Sequence, residues 1–248
     1  MSMAHAAVLV DALERLNREL SRSMPPPRGA PFSGVEYAPG DFAPLDVLCS
    51  RGIFRKYEHT LQIGAGLGGP ARWLATRFGC TVVGVDQSAA LVWAASRLTA
   101  RARLVPQVRF LAGEGAALPL RERVFTHVWG GAALQGLADP LAGLREAWRV
   151  LRPGAHFAIR LRLAAVPGEN LACWSDRVAT VGFVDVSTER AARPQASQGT
   201  QMARQRLDRL LLESGDAEPT ALVKQLRAAR AAAAREESTT IIFARRPA

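Results

Sequence analysis

Apolar residues recur along this chain in two rhythms. Near the start, Leu9, Leu13, Leu16 and Leu20 fall at helical spacing and predict an amphipathic helix from about Ala4 to Ser21. From residue 60 onward, short apolar runs alternate with helical stretches. The runs predict strands at Thr60–Ile63, Thr81–Val85, Val108–Ala112, Phe125–Trp129 and Ala155–Leu161. Between them the pattern predicts helices at Pro70–Phe78, Ala89–Arg103 and Pro140–Leu151. A further short helix is expected over Leu45–Tyr57, and Ala132–Leu137 reads either way. Pro25-Pro26-Pro27 is a stiff break after the first helix, and residues 28–45 carry the Gly and Pro of a loop.

Such alternation argues for parallel βαβ units with right-handed crossovers. Gly182–Ser187 and Thr239–Ala244 add two strands, with helices expected between them near Gln201–Glu213 and Thr220–Arg235. A long excursion before the final strand suggests that this strand closes the sheet antiparallel. The expectation is an α/β sheet of seven strands, mostly parallel, with helices on both faces. The boundaries predicted are 1–44 for an N-terminal helix and linker, and 45–248 for the main domain.

One segment suggests chemistry. Leu61-Gln62-Ile63-Gly64-Ala65-Gly66-Leu67-Gly68-Gly69-Pro70 runs from an apolar strand through glycines into a helix. Backbone that passes close to a ligand needs glycine, because a Cβ would collide. The next strand, Thr81 to Val85, ends on Asp86, where a carboxylate can accept both hydroxyls of a ribose. A nucleoside-containing cofactor is therefore expected. The glycines fit two spacings: Gly64, Gly66 and Gly69 the dinucleotide G-x-G-x-x-G, and Gly64, Gly66 and Gly68 the tighter G-x-G-x-G. Three later segments separate them: Gly113-Glu114-Gly115-Ala116-Ala117-Leu118-Pro119 past the third strand, Phe125-Thr126-His127-Val128-Trp129 as the fourth, and Glu146 to Gly154 with its Arg-Pro-Gly turn.

In this order and spacing, from about Leu45 to Leu161, the chain resembles the class I S-adenosylmethionine-dependent methyltransferases. It is most similar to their small-molecule branch, the sarcosine/dimethylglycine and tocopherol methyltransferase type. The resemblance implies a Rossmann-like domain that binds S-adenosyl-L-methionine. It implies that Gly64, Ala65, Gly66 and Gly68 approach the methionine part, with Gln62 beside it. Asp86 then binds the ribose hydroxyls, Gln87 the adenine or ribose, and Glu114 with Gly115 the adenine. His127 and Trp129 are the candidates at the fourth-strand tip, facing the acceptor. Three positions depart from the family pattern: Gln62 and Thr126 replace acids, and Trp129-Gly130-Gly131-Ala132-Ala133-Leu134 lacks the usual polar groups. Methyl transfer is a direct displacement from an activated sulfonium, so holding the acceptor in line matters more than acid–base help. No catalytic residue is assigned.

Duller explanations compete. Asp86 could cap the following helix, although Ser88 is the better cap. Glu114 could be a solvated loop acid, Gln62 a plain strand-end amide, and His127 and Trp129 core residues. The leucine stripe reads most simply as a docked face, more sharply as a lid or a homodimer contact. Two other function classes stand beside the enzyme: a non-catalytic partner of the same fold, and an NAD(P)-dependent oxidoreductase, for whose substrate domain there is little room.

Composition changes this picture little. The 48% apolar content supports a core, and no apolar run approaches the roughly 18 residues a membrane span needs. The N-terminal apolar patch, Ala6 to Val10, is short and broken by Asp11, so no secretion signal is expected. The net charge of +10 comes from dispersed arginines, with Lys56 and Lys224 the only lysines, which argues against nucleic acid as the partner. A nucleic-acid methyltransferase would show itself by steeply salt-dependent binding. Cys49, Cys80 and Cys173 form neither a disulfide framework nor a zinc pattern, and the four histidines lack ligand spacing. A cytoplasmic protein without metal is expected.

Overall fold

The computed structural model describes residues 1–20, 42–51, 54–162, 170–192, 198–213, 220, 222–224, 226–228, 231 and 238–248. The triple proline and most of the 28–45 loop lie outside the described residues, as does much of the helix expected at Thr220–Arg235. Seven strands form one sheet: β1 (His59–Ile63), β2 (Thr81–Asp86), β3 (Val108–Ala112), β4 (Phe125–Gly130), β5 (Leu151–Leu161), β6 (Val184–Ala192) and β7 (Ser238–Arg245). The helices between and before them are α1 (Met3–Leu20), α2 (Phe42–Arg51), α3 (Gly69–Phe78), α4 (Ala89–Arg101), α5 (Ala132–Gln135), α6 (Pro140–Val150), α7 (Leu171–Thr180) and α8 (Gln198–Leu212).

The spatial strand order is β3-β2-β1-β4-β5-β7-β6. β1 to β5 are parallel, and β7 runs antiparallel between β5 and β6, as the closing-strand pattern predicts. The order reverses between β1 and β4. That reversal opens a crevice at the carboxyl ends of the two strands, where open α/β sheets bind ligands.

Local chemistry sets the helix starts. Ser88 caps α4 by accepting from the Leu91 N–H at 3.3 Å, and Asp139 caps α6 by accepting from the Ala142 N–H at 3.1 Å. Asn170 caps α7 in the same way. Gly79 ends α3 in the left-handed region. Two boundaries differ from the sequence pattern for a simple reason. β5 starts at Leu151 rather than Ala155, because the backbone turns extended at Leu151 (φ −71°, ψ 145°) and the Arg-Pro-Gly segment is already strand. β6 extends to Ala192, because β7 offers it a partner from Ser187 to Ala192, beyond a bulge between Val184 and Ser187. The stretch Ala132–Leu137 forms the short helix α5.

Two cores lie on the two sheet faces. One packs Leu61, Ile63, Val128, Phe157, Ile159 and Ile242 against α6 and α7. The other packs Val82, Trp129, Ala158 and Ile241 against α2, α3 and α4. A third cluster lies outside the sheet. The stripe of α1 (Leu9, Leu13, Leu16) is buried against Ala94 and Leu98 of α4 and Leu207 and Leu211 of α8. The stripe is thus spent within the chain, which is the docked-face reading; a dimer would need another surface. Arg206 bridges Glu19 and Glu213 across this seam, at 2.7 and 2.9 Å. These pairs are solvent-exposed, and screening by water leaves them little weight. Apolar burial holds the layer.

A polar clamp joins two of the segments singled out in the sequence. Glu146 accepts from the Leu118 N–H at 2.8 Å and pairs with Arg149 at 2.7 Å. Arg149 in turn donates to the carbonyls of Leu118 (3.2 Å) and Leu120 (2.9 Å). The Arg149 guanidinium holds the Glu146 carboxyl below its ordinary range. The Leu-Pro loop after β3 and the helix before β5 thus satisfy each other's polar groups.

Candidate functional site

β1 ends at Ile63, and the chain turns through three glycines before α3. Gly64, Gly66 and Gly68 all have positive φ (75°, 54° and 76°), whereas Gly69 opens the helix. The tighter G-x-G-x-G spacing is therefore the one the backbone uses; only glycine enters that region freely. The N–H groups of Gly64 and Ala65 both donate to the Val85 carbonyl, and that of Gly68 to Ala65. The Gly66 N–H donates to Asp86 Oδ2 at 2.9 Å. With these donors engaged internally, the loop is a cradle that holds its own shape. What it leaves exposed is its Cα faces and carbonyls. A Cβ on Gly66 would meet nothing within 4 Å, so this face of the loop is open.

Asp86 is buried, and its other oxygen accepts from the Ser88 N–H at 3.0 Å. It therefore fastens the glycine loop to the start of α4, while Ser88 is the helix cap. Each carboxylate oxygen keeps a second lone pair for a ligand hydroxyl. Asp86, Gln87, Gly64 and Gly115 wall one cavity of about 180 Å³, together with Val85, Gly113, Ala133 and Leu137. That is below the roughly 300 Å³ of a small-molecule pocket. The reason is α5. A Cβ on Gly64 would lie 2.3 Å from Ala133 Cβ, so α5 rests directly on the first loop glycine. Gln135 holds α5 there, by accepting from the Arg162 N–H at 2.9 Å and donating to its carbonyl.

The remaining sequence candidates lie elsewhere. Glu114 is exposed beside the cavity rather than in its wall, in a bridge with Ala117. Gln62 is buried in β1 between Gly84 and Trp129, and its Oε1 has no hydrogen-bond partner. Trp129 is 6% exposed and packs in the core facing α2 and α3, which corrects its placement on an acceptor wall.

His127 requires the same correction. It lies in mid-strand, stacked between Phe54 (4.6 Å) and His156 (5.1 Å), and not at the β4 tip. The Thr126 hydroxyl donates to the His59 carbonyl and accepts from the His59 N–H. At 3.0 Å it must then accept from His127 Nδ1, which leaves Nε2 as a buried acceptor without a partner. Burial, with His156 beside it, pushes the His127 pKa down to about 4. It is a neutral core imidazole. Thr126 occupies its position as a tie between β1 and β4.

The glycine cradle stands at the reversal of a seven-stranded sheet, where open α/β folds bind ligands. Residues 61–159 match the methyltransferase domain family. Among relatives, methyltransferase GfsG of Streptomyces halstedii is 33% identical over 99 residues, 40% of this chain and 36% of that protein. The chloroplastic tocopherol O-methyltransferase of Arabidopsis thaliana is 27% identical over 105 residues, 42% of this chain and 30% of that one. The aligned stretch thus spans about a third of the length of these relatives. A putative sarcosine dimethylglycine methyltransferase from Galdieria sulphuraria shares the fold, with a TM-score of 0.59 at 18% identity over 82% of this chain and 83% of that one.

Proposed function

We propose that this protein is a methyltransferase that transfers a methyl group from S-adenosylmethionine to a small-molecule acceptor by direct displacement. The carrying observation is the left-handed glycine cradle braced by Asp86 beside an open loop face. The residues present fit the cofactor. Asp86 would take the ribose hydroxyls, Gln87, Gly113 and Gly115 the nucleobase, and Gly64 to Gly68 the methionine end. Gln62, with a buried Oε1 unused by the protein, would accept from the cofactor's ammonium. When bound, the cofactor supplies an activated methyl whose leaving group is a neutral thioether. The chain's task is then to orient and to exclude water.

The domain proposed for this chemistry is 45–248, with α1 docked on it. Three scattered cysteines, Cys49, Cys80 and Cys173, suit a reducing, cytoplasmic setting. No described helix is long and apolar enough to cross a membrane.

One observation favours a second reading, a non-catalytic member of the fold: Ala133 sits where the cradle begins. Calorimetry separates the two. The enzyme binds S-adenosylmethionine and its demethylated product in the micromolar range; no heat and no saturable uptake at millimolar ligand leaves only the architecture.

A further inference from the structure

We infer that the end of the sheet opposite the glycine cradle holds a second binding site, for a small zwitterion of the amino-acid kind, with a carboxylate and an ammonium group. The site goes beyond the methyltransferase reading and does not depend on it. A cleft of about 320 Å³ opens there, lined by Arg55, Glu58, Arg152, the Pro153 to Ala155 segment and the His127–His156 stack. That volume admits a small molecule. Glu58 immediately precedes β1, and residues 152–155 begin β5, so the cleft lies at the amino ends of these strands. The glycine cradle lies at the carboxyl end of β1. β1 alone, at about 3.3 Å per residue, puts roughly 16 Å between the two. A ligand in the cleft is therefore not the acceptor of a methyl group delivered at the cradle.

Charge without a partner marks this cleft. The Glu58 side chain is only 14% exposed, and no described residue donates a hydrogen bond to its carboxylate. Its one contact with a basic group is His127 Nδ1 at 3.7 Å. That imidazole is neutral and gives its Nδ1 proton to Thr126. A largely buried carboxylate in this state favours a cationic donor from outside. Arg152 makes no hydrogen bond or ion pair among the described residues, and Arg55 donates only to the Tyr57 hydroxyl, at 2.7 Å. Neither guanidinium has an acidic partner, and each keeps most of its five N–H donors. The nearby Arg245, by contrast, is paired with Asp185 at 3.4 Å. A Cβ on Gly154 would meet nothing within 4 Å, so the cleft is open on that side. Two unpaired cations and one unpaired anion call for a ligand of the opposite arrangement. Its carboxylate suits the planar fork of an arginine, and its ammonium suits Glu58. A plain anion would face Glu58, and a plain amine would face the arginines.

The test titrates the full chain calorimetrically with L-phenylalanine, 3-phenylpropionate and phenethylamine, a zwitterion and its two halves on one ring. The zwitterion is expected to bind at least about tenfold tighter than either half. Arg152→Gln should weaken L-phenylalanine by about tenfold and leave phenethylamine unchanged. Glu58→Gln should weaken it similarly and leave 3-phenylpropionate no weaker. Circular dichroism melts report whether both variants fold; should Glu58→Gln not fold, Arg55→Gln, at an exposed position, takes its place and should also weaken L-phenylalanine. Equal affinity for the three probes, no saturable uptake of L-phenylalanine at millimolar concentration, or an affinity that survives in the variants overturns the inference. So does displacement of L-phenylalanine by S-adenosylhomocysteine, which would put it in the cradle's crevice. A wild type that takes up the zwitterion but not S-adenosylhomocysteine would fail the methyltransferase reading and leave this site standing.

Discussion

At the scale of single residues, two positions separate a ligand role from a structural one. Gly64 combines a φ of 75° with the 2.3 Å approach of Ala133 Cβ to any side chain there. Gly64→Ala is expected to lower stability by about 1–3 kcal/mol in urea melts, from backbone strain and overpacking together. Adding Ala133→Gly should recover the packing part and leave the strain. Recovery to wild-type stability would contradict this division. Asp86→Ala strands two part-buried N–H donors, of Gly66 and Ser88, and should itself cost about 1–2 kcal/mol. It should also weaken S-adenosylmethionine binding by more than about tenfold. The tripwire is an unchanged melt: it would show that the loop does not depend on this strut. Residue types alone announced the glycine turn and Asp86. They did not reveal that Asp86 spends half its capacity on the backbone, because a sequence does not show which donors a fold leaves unmet.

At the scale of elements, the motif segments are explained by what they tie together. Arg149→Met removes the guanidinium that holds the Leu118 and Leu120 carbonyls, and should loosen that loop while leaving α6 formed. Hydrogen exchange at residues 113–120 should rise by at least about tenfold, with little change in helical circular dichroism. The stacked histidines give β4 and β5 a pH signature. The folded pKa of His127 lies below the ordinary 6.5, at about 4, so the unfolded chain binds the extra proton first. Stability from this site is complete above pH 6.5 and is lost as pH falls toward 4. Thermal melts between pH 7 and 4.5 should show this decline, and His127→Phe should flatten it; an equally steep decline in that variant would place the acid sensitivity elsewhere. Strand positions were readable from apolar runs. That His127 faces Phe54 was not, because period-two alternation assigns a face but not the neighbours brought to it from distant sequence.

At the scale of the whole molecule, the alternation of strands and helices made the sheet and its closing antiparallel strand legible before any coordinates. The docking of α1 was only half legible. The stripe gave a face to bury, but its seat lies on α4 and α8, roughly eighty and two hundred residues away in sequence, and no local pattern carries that information. Deleting residues 1–20 should lower the melting temperature and raise binding of a hydrophobic dye, since Ala94, Leu98, Leu207 and Leu211 would lose their cover. If the truncated chain melts like the full one, the seam contributes nothing.

That seam also orders events in time. α1 is synthesised well before α8, the helix it docks on, and the Arg15–Glu213 pair at 3.0 Å marks how far apart in synthesis the two sides are. Until α8 emerges, the nascent chain carries a greasy strip with half its berth missing. Sensitivity to anything that stalls synthesis between the two helices follows from where one helix rests.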